Sequence, residues 1–557
     1  MAFPKMADKV VETDVLVMGG GVGGCPAAAK AAEHGLNVTL VEKSKPERAG
    51  NCAPGMDEIG PFTRDGVTAL DLVKHDKEGG QYLDPNVLYK IYDSSLWALE
   101  ELERFGVTMR WDDGEYYWIP WFLGNDAKNW LRVHWLNAKP EMAAAVRKRG
   151  VNVLERTMVV DLLTDKDRVA GATTVNTRTG EFTVIKAKAV VIAAGKFLRH
   201  YDPVTPVTWK YKMAYEFFPE ASSGDGHAVA YRAGADLTGM EMIRTSDVRD
   251  ALVMRGGNFA HNDGIFGKVF TWKGEEVSRA PGGPLDYLEL ARKGMEPLYL
   301  SLEHLPDDFQ KRIEAHYVDE RFLGLKIAEE RGFNPRTHRY QKRFTPSNRN
   351  HATGIDVDEN LKGSLQGVYA IGDCAYSGGI GCAGAAIAGL VVGDNIHRYV
   401  SAAGEPALDE AQLESQKRIA LAPLAVKDGT EPMELECAIR FICGEYAGMF
   451  RSEGRLREGL NRLGSLRREF LPGLMAKNPH YLMRCLEVRN IMDMAELHLQ
   501  ASLVRKETRG EYVRLDCPER DPSLDTRRIC QRTEKGKAVL ESREVPELKP
   551  EYAREKK

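Results

Sequence analysis

The segment between residues 13 and 42 limits the possible folds of this chain more than any other part of its sequence. A short apolar run, a glycine-rich turn, an alanine-rich run and a second apolar run follow one another directly. In that order they occupy residues 13–18, 19–24, 27–32 and 37–42. The apolar runs are typical of buried parallel strands, and the alanine-rich run is typical of a helix that ends near Gly35. The segment therefore predicts a βαβ unit of a Rossmann-like α/β sheet.

Three glycines in the turn have the GxGxxG spacing of a dinucleotide-binding loop. Gly19 would allow a tight turn, Gly21 would let a pyrophosphate approach the backbone, and Gly24 would let the helix pack closely on the strand. The phosphates would lie on amide groups at the helix N-terminus, including those of Val22 and Gly23. Two alternatives stay open at this point. One is a glycine-rich turn in an unrelated α/β protein, and the other is NAD as the bound dinucleotide.

Later segments favour FAD over NAD. Glu42 ends the second strand, where a carboxylate accepts hydrogen bonds from adenosine ribose hydroxyls. Residues 193–195 (AAG) form a small-residue turn after another apolar strand. Residues 370–373 (AIGD) follow a further strand, and Asp373 there can bond the ribitol chain of a flavin. The small residues of 378–386 would begin a helix aimed at the polar edge of the flavin.

Charge and cysteine content exclude several other classes of protein. A formal charge of −4 gives no general attraction to nucleic acid. No apolar run is long enough for a transmembrane helix, and the N-terminus lacks the apolar core of a signal peptide. The nine cysteines form no CxxC pair, which argues against an iron–sulfur cluster or structural zinc within this chain. We therefore expect a cytoplasmic protein with free, mostly buried thiols.

These motifs resemble those of the flavoprotein subunits of fumarate reductase and succinate dehydrogenase. Within that family the chain is most similar to the alpha subunit of dissimilatory adenylylsulfate reductase, over nearly its whole length. The stretches that carry the resemblance are residues 41–50, 185–190, 223–226, 231–235, 273–276, 482–488 and 505–510. The C-terminal stretches are typical of the adenylylsulfate reductase branch.

The resemblance implies an α/β fold in several parts. A Rossmann-like FAD-binding domain would be split by an α+β capping domain and followed by a helical C-terminal domain. The expected parts are residues 1–245 and 341–400 for the FAD-binding domain, 246–340 for the cap, 401–515 for the helical domain and 516–557 for an extended C-terminal arm.

The motifs and the resemblance together give a set of residues expected to bind FAD. Beyond the glycine loop and Glu42, they are Lys43, Ser44, Gly50, Asn51, Ala194, Gly195, Asp225, Gly372, Asp373 and Ala385. Succinate dehydrogenases carry a histidine that bonds covalently to FAD in the stretch aligned with residues 48–52, and this chain has none there. We therefore predict non-covalent FAD. Cys52 lies near the expected flavin and is a candidate redox group, although buried cysteines are usually inert.

The resemblance also suggests catalytic residues. Arg249 and Arg255 lie where the family places an arginine over the flavin, and the always-charged fork of one of them would bind a carboxylate, sulfate or phosphate group. The alternative for either is a surface ion pair. His351 matches a substrate-binding histidine, and His134 is a second candidate in an aromatic stretch. Each could instead be a structural histidine, hydrogen-bonded in a loop or packed in the core.

The pocket also departs from both branches of the family. A family asparagine of adenylylsulfate reductases falls near Gly60, a glutamate near Leu136, and a tryptophan among residues 217–218. The fumarate reductase pattern is altered too, since residues 351–354 read HATG.

The leading hypothesis is an FAD-dependent oxidoreductase. It would exchange electrons between a small anionic substrate, adenylylsulfate or a related compound, and an iron–sulfur (ferredoxin-like) partner subunit. One alternative is a fumarate- or succinate-type carboxylate oxidoreductase. Another is a flavin relay within a larger redox complex, with no small substrate of its own.

Overall fold

The three-dimensional structure is a computed structural model of the 557-residue chain. The residues that it describes are 7–53, 55–56, 58–64, 66–78, 82–119, 128–133, 135–201, 221–242, 244–248, 268–278, 284–307, 330, 332, 334, 336–347, 352–378, 381–534 and 536–553.

Strands are distributed along the whole chain. They are β1 (Lys9–Met18), β2 (Val38–Val41), β3 (Glu58–Ile59), β4 (Tyr117–Ile119), β5 (Trp130–Arg132), β6 (Asn152–Leu154), β7 (Thr157–Asp165), β8 (Arg168–Asn176), β9 (Phe182–Ile192), β10 (Leu237–Thr238), β11 (Arg244–Val248), β12 (Lys268–Phe270), β13 (Leu298–Ser301), β14 (Tyr340–Ser347), β15 (Gly354–Ile355), β16 (Val368–Ala370), β17 (Phe450–Arg451), β18 (Val513–Arg514), β19 (Arg527–Glu534) and β20 (Lys537–Glu544).

The longer helices are concentrated in the C-terminal half. In chain order the helices are α1 (Gly24–Glu33), α2 (Ala69–Glu78), α3 (Pro85–Asp93), α4 (Ser95–Arg104), α5 (Ala138–Lys148), α6 (Asp225–Arg232), α7 (Pro284–Arg292), α8 (Gly381–Ala402), α9 (Glu410–Ala425), α10 (Pro432–Ala447), α11 (Glu453–Glu469), α12 (Pro479–Val504) and α13 (Pro550–Ala553). In the part of the chain that the structure describes, none of them has both the length and the apolar character needed to cross a membrane.

The central sheet has seven strands. Six of them follow the order β6-β2-β1-β9-β8-β7, and the seventh, β16, pairs with β9. β6, β2, β1, β9 and β16 are parallel, whereas β7 and β8 form an antiparallel meander with β9. β8 pairs with residues 182–186 of β9, and β16 pairs with residues 190–192. The predicted βαβ unit is confirmed as β1, α1 and β2.

The carboxyl ends of four parallel strands meet at one edge of this sheet. Met18 of β1 lies opposite Val41 of β2 and opposite Ile192 of β9. Ile192 in turn lies opposite Ala370 of β16. Ligands of open parallel sheets bind beyond the carboxyl ends of the strands. The segments that follow these four strands are therefore positioned to share one site.

Small residues allow α8 to pack directly against α1. A Cβ atom at Gly389 would lie 2.1 Å from the carbonyl oxygen of Gly23, and one at Gly393 would lie 2.6 Å from that of Ala27. Only glycine fits where two helix backbones approach this closely. This contact fixes the first turn of α8 beside the glycine-rich loop.

A separate antiparallel sheet, of order β11-β14-β13-β12, lies between residues 244 and 347. Val269, Leu298, Leu300 and Leu302 form its buried core, and partly buried side chains of α7 pack on them. Its described strands extend slightly beyond the predicted range of 246–340 at both ends.

The four long helices α9 to α12 pack against the meander side of the central sheet. Val160 and Val184 of the sheet share a buried core with Leu435, Ile439 and Leu486 of these helices. The predicted fold class, an α/β FAD-binding fold with a helical C-terminal region, is confirmed by this arrangement.

The C-terminal residues differ from the extended arm that the sequence predicts. β19 and β20 form an antiparallel hairpin, and β19 also pairs with β10. Polar and apolar residues alternate weakly in this stretch, so the pattern does not reveal the strands. β19 pairs with β10 at Leu237 and Thr238, which lie almost 300 residues earlier in the chain.

Candidate cofactor site

The glycine-rich loop has the geometry of a phosphate-binding turn. Gly19 has a φ of +102°, and a Cβ atom on Gly24 would lie 1.9 Å from the carbonyl oxygen of Gly19. Both glycines are therefore required by the backbone itself. A Cβ atom on Gly21, in contrast, would meet nothing within 4 Å. Gly21 thus faces open space, where the second glycine of the motif admits a pyrophosphate.

Two other segments enclose this loop. Gly50 has a φ of +78°, and a Cβ atom there would lie 3.2 Å from the Cα atom of Gly21. A Cβ atom on Gly23 would lie 2.9 Å from the carbonyl oxygen of Ala385, in the first turns of α8. The loop, residues 50–52 and the start of α8 therefore converge around one space.

The Glu42 carboxylate is buried beside the loop, with 7% of the residue exposed. One of its oxygens accepts the Gly20 N–H at 2.7 Å, and the other accepts the N–H and the hydroxyl of Ser44 at 2.7 and 2.8 Å. Each carboxylate oxygen has two lone-pair positions. The oxygen bonded to Gly20 keeps one position for a further donor, such as a ribose hydroxyl.

The other two strand ends extend the sheet into the same region. The N–H of Ala193 donates to the last carbonyl of β1 at 2.8 Å, and the N–H of Ile371 donates to the last carbonyl of β9 at 3.0 Å. Ala194 and Gly195 follow the first, and Gly372 and Asp373 follow the second. The Asn51 amide nitrogen lies 3.5 Å from a carboxylate oxygen of Asp373. The structure thus brings these predicted cofactor residues together.

Lys43 and Asp225 lie in a buried ionic cluster. The Lys43 ammonium donates to Asp225 at 2.8 Å and to Glu487 at 2.7 Å. Asp225 also accepts the Asn490 amide at 2.8 Å. The charges of Lys43 and Asp225 therefore neutralise one another, and contact of either with FAD stays a prediction.

Opposite charges determine the titration of this cluster. Burial disfavours the ionised form of Glu487, but Lys43 and Arg199 outweigh it and lower its pKa to about 2. Arg199 donates to Glu487 at 2.5 Å and also pairs with Glu436. The cluster connects β2 and α6 to the helical region at α10 and α12.

Two buried lysines support the site and were not predicted from the sequence. Lys139 is 1% exposed and donates to the carbonyl of Gly20 at 2.6 Å, which holds the glycine loop in place. Lys196 donates to the carbonyl and the hydroxyl of Thr353 at 3.1 and 3.2 Å. Burial lowers the pKa of Lys196, and Asp373 opposes that shift. Lys196 directly follows the predicted turn, so its position was a usable signal, whereas nothing in the local sequence marks Lys139.

The cysteines correct one prediction. We expected free thiols, but the structure joins Cys52 to Cys382 in a disulfide bond. The other seven cysteines take part in no disulfide bond, as predicted. The bond spans 330 residues of sequence, so no local cysteine spacing could have indicated it.

The predicted catalytic residues Arg249, Arg255, His351 and His134 lie outside the described residues. One of the altered pocket positions is described in detail. A Cβ atom on Gly60 would lie 2.5 Å from the ring of Trp130, so the indole occupies the place that a larger residue would need.

Comparisons with known proteins agree with the geometry. The family model of the FAD binding domain matches residues 14–386, and that of the fumarate reductase flavoprotein C-terminal region matches residues 438–550. A fumarate reductase (CoM/CoB) chain of Methanothermobacter marburgensis is 24% identical, over 93% of this chain and 96% of its own. L-aspartate oxidase of Yersinia pestis is 25% identical, over 91% and 96%.

Two solved structures share the fold over nearly the whole chain. An adenosine-5-phosphosulfate reductase in complex with sulfite has a TM-score of 0.83 at 24% identity, and covers 97% of this chain and 96% of its own. Adenylylsulfate reductase from the hyperthermophilic Archaeoglobus fulgidus has a TM-score of 0.81 at 24% identity, with the same coverage.

Proposed function

Since this chain belongs to the fumarate reductase and succinate dehydrogenase family of FAD-dependent oxidoreductases, we propose that it exchanges electrons between a small anionic substrate and an iron–sulfur partner subunit. The observation that carries the proposal is the convergence of four strand ends around the open face of Gly21.

The residues at this edge fit FAD. The amides at the start of α1 bind the pyrophosphate, and Glu42 accepts from the adenosine ribose. Asp373 and Asn51 bind the ribitol side of the cofactor, and the positive end of α8 faces the polar edge of the flavin. The FAD supplies the redox chemistry, while the protein binds the cofactor, orients the substrate and excludes water. Because residues 48–52 contain no histidine, the cofactor is held without a covalent bond.

We propose adenylylsulfate as the substrate, with AMP and sulfite as the products. The support is the fold shared over nearly the whole chain with two reductases of that compound, together with the C-terminal motifs. Arg249 or Arg255 binds the anionic group of the substrate through its guanidinium fork. His351 and His134 orient it and stabilise developing negative charge.

The partner in this proposal carries the iron–sulfur clusters. The nine cysteines of the chain form no CxxC pair, and two of them are joined to each other. Electrons that reach the flavin one at a time therefore need clusters on another subunit.

The first test is a flavin reoxidation assay on the purified full chain with any partner that co-elutes. The flavin is reduced with dithionite without oxygen, adenylylsulfate or fumarate is added, and the flavin absorbance is followed. Sulfate plus AMP serves as the control for adenylylsulfate, because the mixture lacks the sulfate–phosphate anhydride bond. We expect rapid reoxidation by adenylylsulfate alone, with at least one AMP released per flavin.

The other outcomes decide against the proposal. Reoxidation by fumarate alone would place the chain among the carboxylate oxidoreductases. Reoxidation by neither compound would leave the relay function as the better explanation. Arg249→Lys and Arg255→Lys identify the arginine over the flavin. The one that binds substrate should lose at least roughly tenfold in rate, since lysine lacks the planar fork.

A further inference from the structure

The Cys52–Cys382 disulfide links two segments that line the proposed FAD site. Gly50, two residues before Cys52, packs against Gly21 of the phosphate loop, and Asn51 lies 3.5 Å from Asp373. Cys382 is the second residue of α8. The disulfide thus closes across the same edge of the sheet at which the cofactor residues converge.

The two sulfurs have different surroundings. Cys52 is 2% exposed, and its sulfur lies 3.3 Å from the thioether of Met56. Cys382 is only partly buried. It lies in the first turn of the 22-residue helix α8, where free amide groups stabilise a thiolate. Cys382 is therefore the sulfur that an external group reaches first, and Cys52 is its protected partner.

A third cysteine nearby has the properties of an inert thiol. The Cys374 sulfur donates to the carbonyl of Gly195 at 3.1 Å, so it lies beside the same site. Burial raises the pKa of Cys374 to about 12, which keeps it protonated at neutral pH. Proximity to the cofactor edge thus does not by itself make a cysteine oxidisable. Of these three cysteines, Cys52 and Cys382 are paired, and Cys374 is not.

We infer that Cys52 and Cys382 form a redox-active disulfide that exchanges two electrons with the flavin. The inference rests on the proposed position of FAD. On reduction the bond between the two sulfurs breaks, and each sulfur gains one electron and one proton. The two electrons come from the reduced flavin, which is oxidised, and the two protons come from the flavin and solvent. In the reverse direction the dithiol reduces the flavin, so a thiol compound that exchanges with Cys382 becomes an electron donor to the enzyme.

The test counts electrons and maps the bond in the same sample of the full chain with bound FAD. The protein is titrated with dithionite without oxygen until the flavin is fully reduced. Samples taken before and after are alkylated, digested without reductant and analysed by mass spectrometry. We expect the Cys52 and Cys382 peptides to be linked before the titration and separately alkylated after it. Wild-type protein should take up two electrons per chain more than Cys52→Ser or Cys382→Ser.

Cys517→Ser is the matched control, since Cys517 is a free and partly exposed cysteine of the C-terminal region. It should take up as many electrons as wild type. Co-purified iron–sulfur clusters add equally to all variants, so the difference of two electrons is unaffected by them.

Three results would overturn the inference: free Cys52 and Cys382 in the oxidised holoprotein, a bond that survives complete reduction of the flavin, or equal electron uptake by all variants. Failure of the proposed function has a separate signature. It would appear as absent flavin absorbance, or as reduced flavin that no substrate reoxidises, whatever the state of the disulfide.

Discussion

Two glycines of one loop, Gly21 and Gly24, are required for different reasons. A side chain on Gly21 meets open space, whereas one on Gly24 overlaps the carbonyl of Gly19. We predict that Gly21→Ala abolishes FAD binding but changes the stability of the flavin-free protein by less than about 0.5 kcal/mol. Gly24→Ala should destabilise the flavin-free protein by about 3 kcal/mol. Flavin content and urea unfolding of the flavin-free proteins measure the two effects.

Gly35→Ala is the control for the two loop variants, because Gly35 lies outside the glycine-rich loop of residues 19–24. Gly35 has open space around a Cβ atom, as Gly21 does, but its φ of +77° makes a side chain strained there. The Gly35→Ala protein should lose about 1 kcal/mol of stability and keep its flavin. A Gly21→Ala protein with wild-type flavin content would contradict the assignment of the pyrophosphate site.

Glu42 provides a prediction about charge. Its carboxylate accepts three hydrogen bonds from Gly20 and Ser44 and has room for a ribose hydroxyl. Glu42→Gln places an amide group opposite N–H donors and removes the charge, so FAD should bind at least roughly tenfold more weakly. Flavin fluorescence titration of the flavin-free protein measures this. Glu12→Gln is the control, because Glu12 is an exposed residue of β1 with the same charge. Equal affinity in the two variants would show that Glu42 does not contact the cofactor.

The local sequence predicts some of these residues and not others. Gly19, Gly21, Gly24 and Glu42 follow one another at fixed spacing in one βαβ unit, so their positions are determined within about 30 residues. Lys139 reaches the same loop from a helix more than 100 residues away. Its contact depends on how α5 packs, and a local pattern holds no information about that.

At the scale of elements, the buried cluster around Glu487 connects the cofactor domain to the helical region. Its partners Lys43 and Arg199 lower the pKa of Glu487 from 4.5 to about 2. A carboxyl group whose pKa falls on folding stabilises the protein above its unfolded pKa, and this contribution is lost as the pH falls towards the folded value. The contribution is about 3 kcal/mol above pH 4.5 and disappears between pH 4.5 and 2.

We therefore predict that Glu487→Gln destabilises the protein by about 3 kcal/mol at pH 7, since it leaves Lys43, Arg199 and Arg484 with one fewer anion. The deficit relative to wild type should shrink below pH 4.5. Urea unfolding across this pH range measures both. Glu458→Gln on α11 is the control, because its pair with Arg462 is exposed and contributes little. A deficit that is independent of pH would mean that packing, and not charge, explains the loss.

Elements with a strong local pattern were predicted, and elements that depend on distant partners were not. β1, α1 and β2 follow from apolar runs and a glycine turn, and β9 follows from its run of valine and alanine. The hairpin of β19 and β20 carries charged residues on half of its strand positions and pairs with β10 across the fold. The pairing with β10 joins residues almost 300 positions apart, so the local sequence does not show it.

At the scale of the whole molecule, the site is built from segments that lie far apart along the chain. The residues around Gly21 come from positions near 20, 42, 50, 194 and 372, which only the parallel sheet brings together. A resemblance to a known family could predict this assembly, because the family supplies the topology. No local pattern predicts the disulfide between Cys52 and Cys382, because the two cysteines are 330 residues apart in the sequence.

The C-terminal hairpin of β19 and β20 attaches residues 527–544 to the middle of the chain at β10. Arg528 of β19 donates to Asp356 at 2.7 Å, in surroundings where burial raises the pKa of Asp356 to about 6 and Arg528 opposes the rise. A carboxyl group whose pKa rises on folding destabilises the native state as the pH increases from the unfolded value of 3.8 through the folded one. Without Arg528 the ionised form would be still less favourable.

We therefore predict that Arg528→Gln lowers the free energy of unfolding by about 3 kcal/mol at pH 8, because it leaves a buried carboxylate without its nearest cation. The loss should be clearly smaller at pH 5, where Asp356 can stay protonated. Urea unfolding at the two pH values measures the difference. Arg527→Gln is a matched control on the neighbouring residue, since the Arg527 side chain is 42% exposed and its guanidinium lies 3.7 Å from the Glu544 carboxylate at the surface. If the two variants lose the same stability, or if the loss in Arg528→Gln is greater at pH 5, the ion pair with Asp356 is not what attaches the hairpin. The strand pairing of β19 with β10 would then account for the attachment of the hairpin.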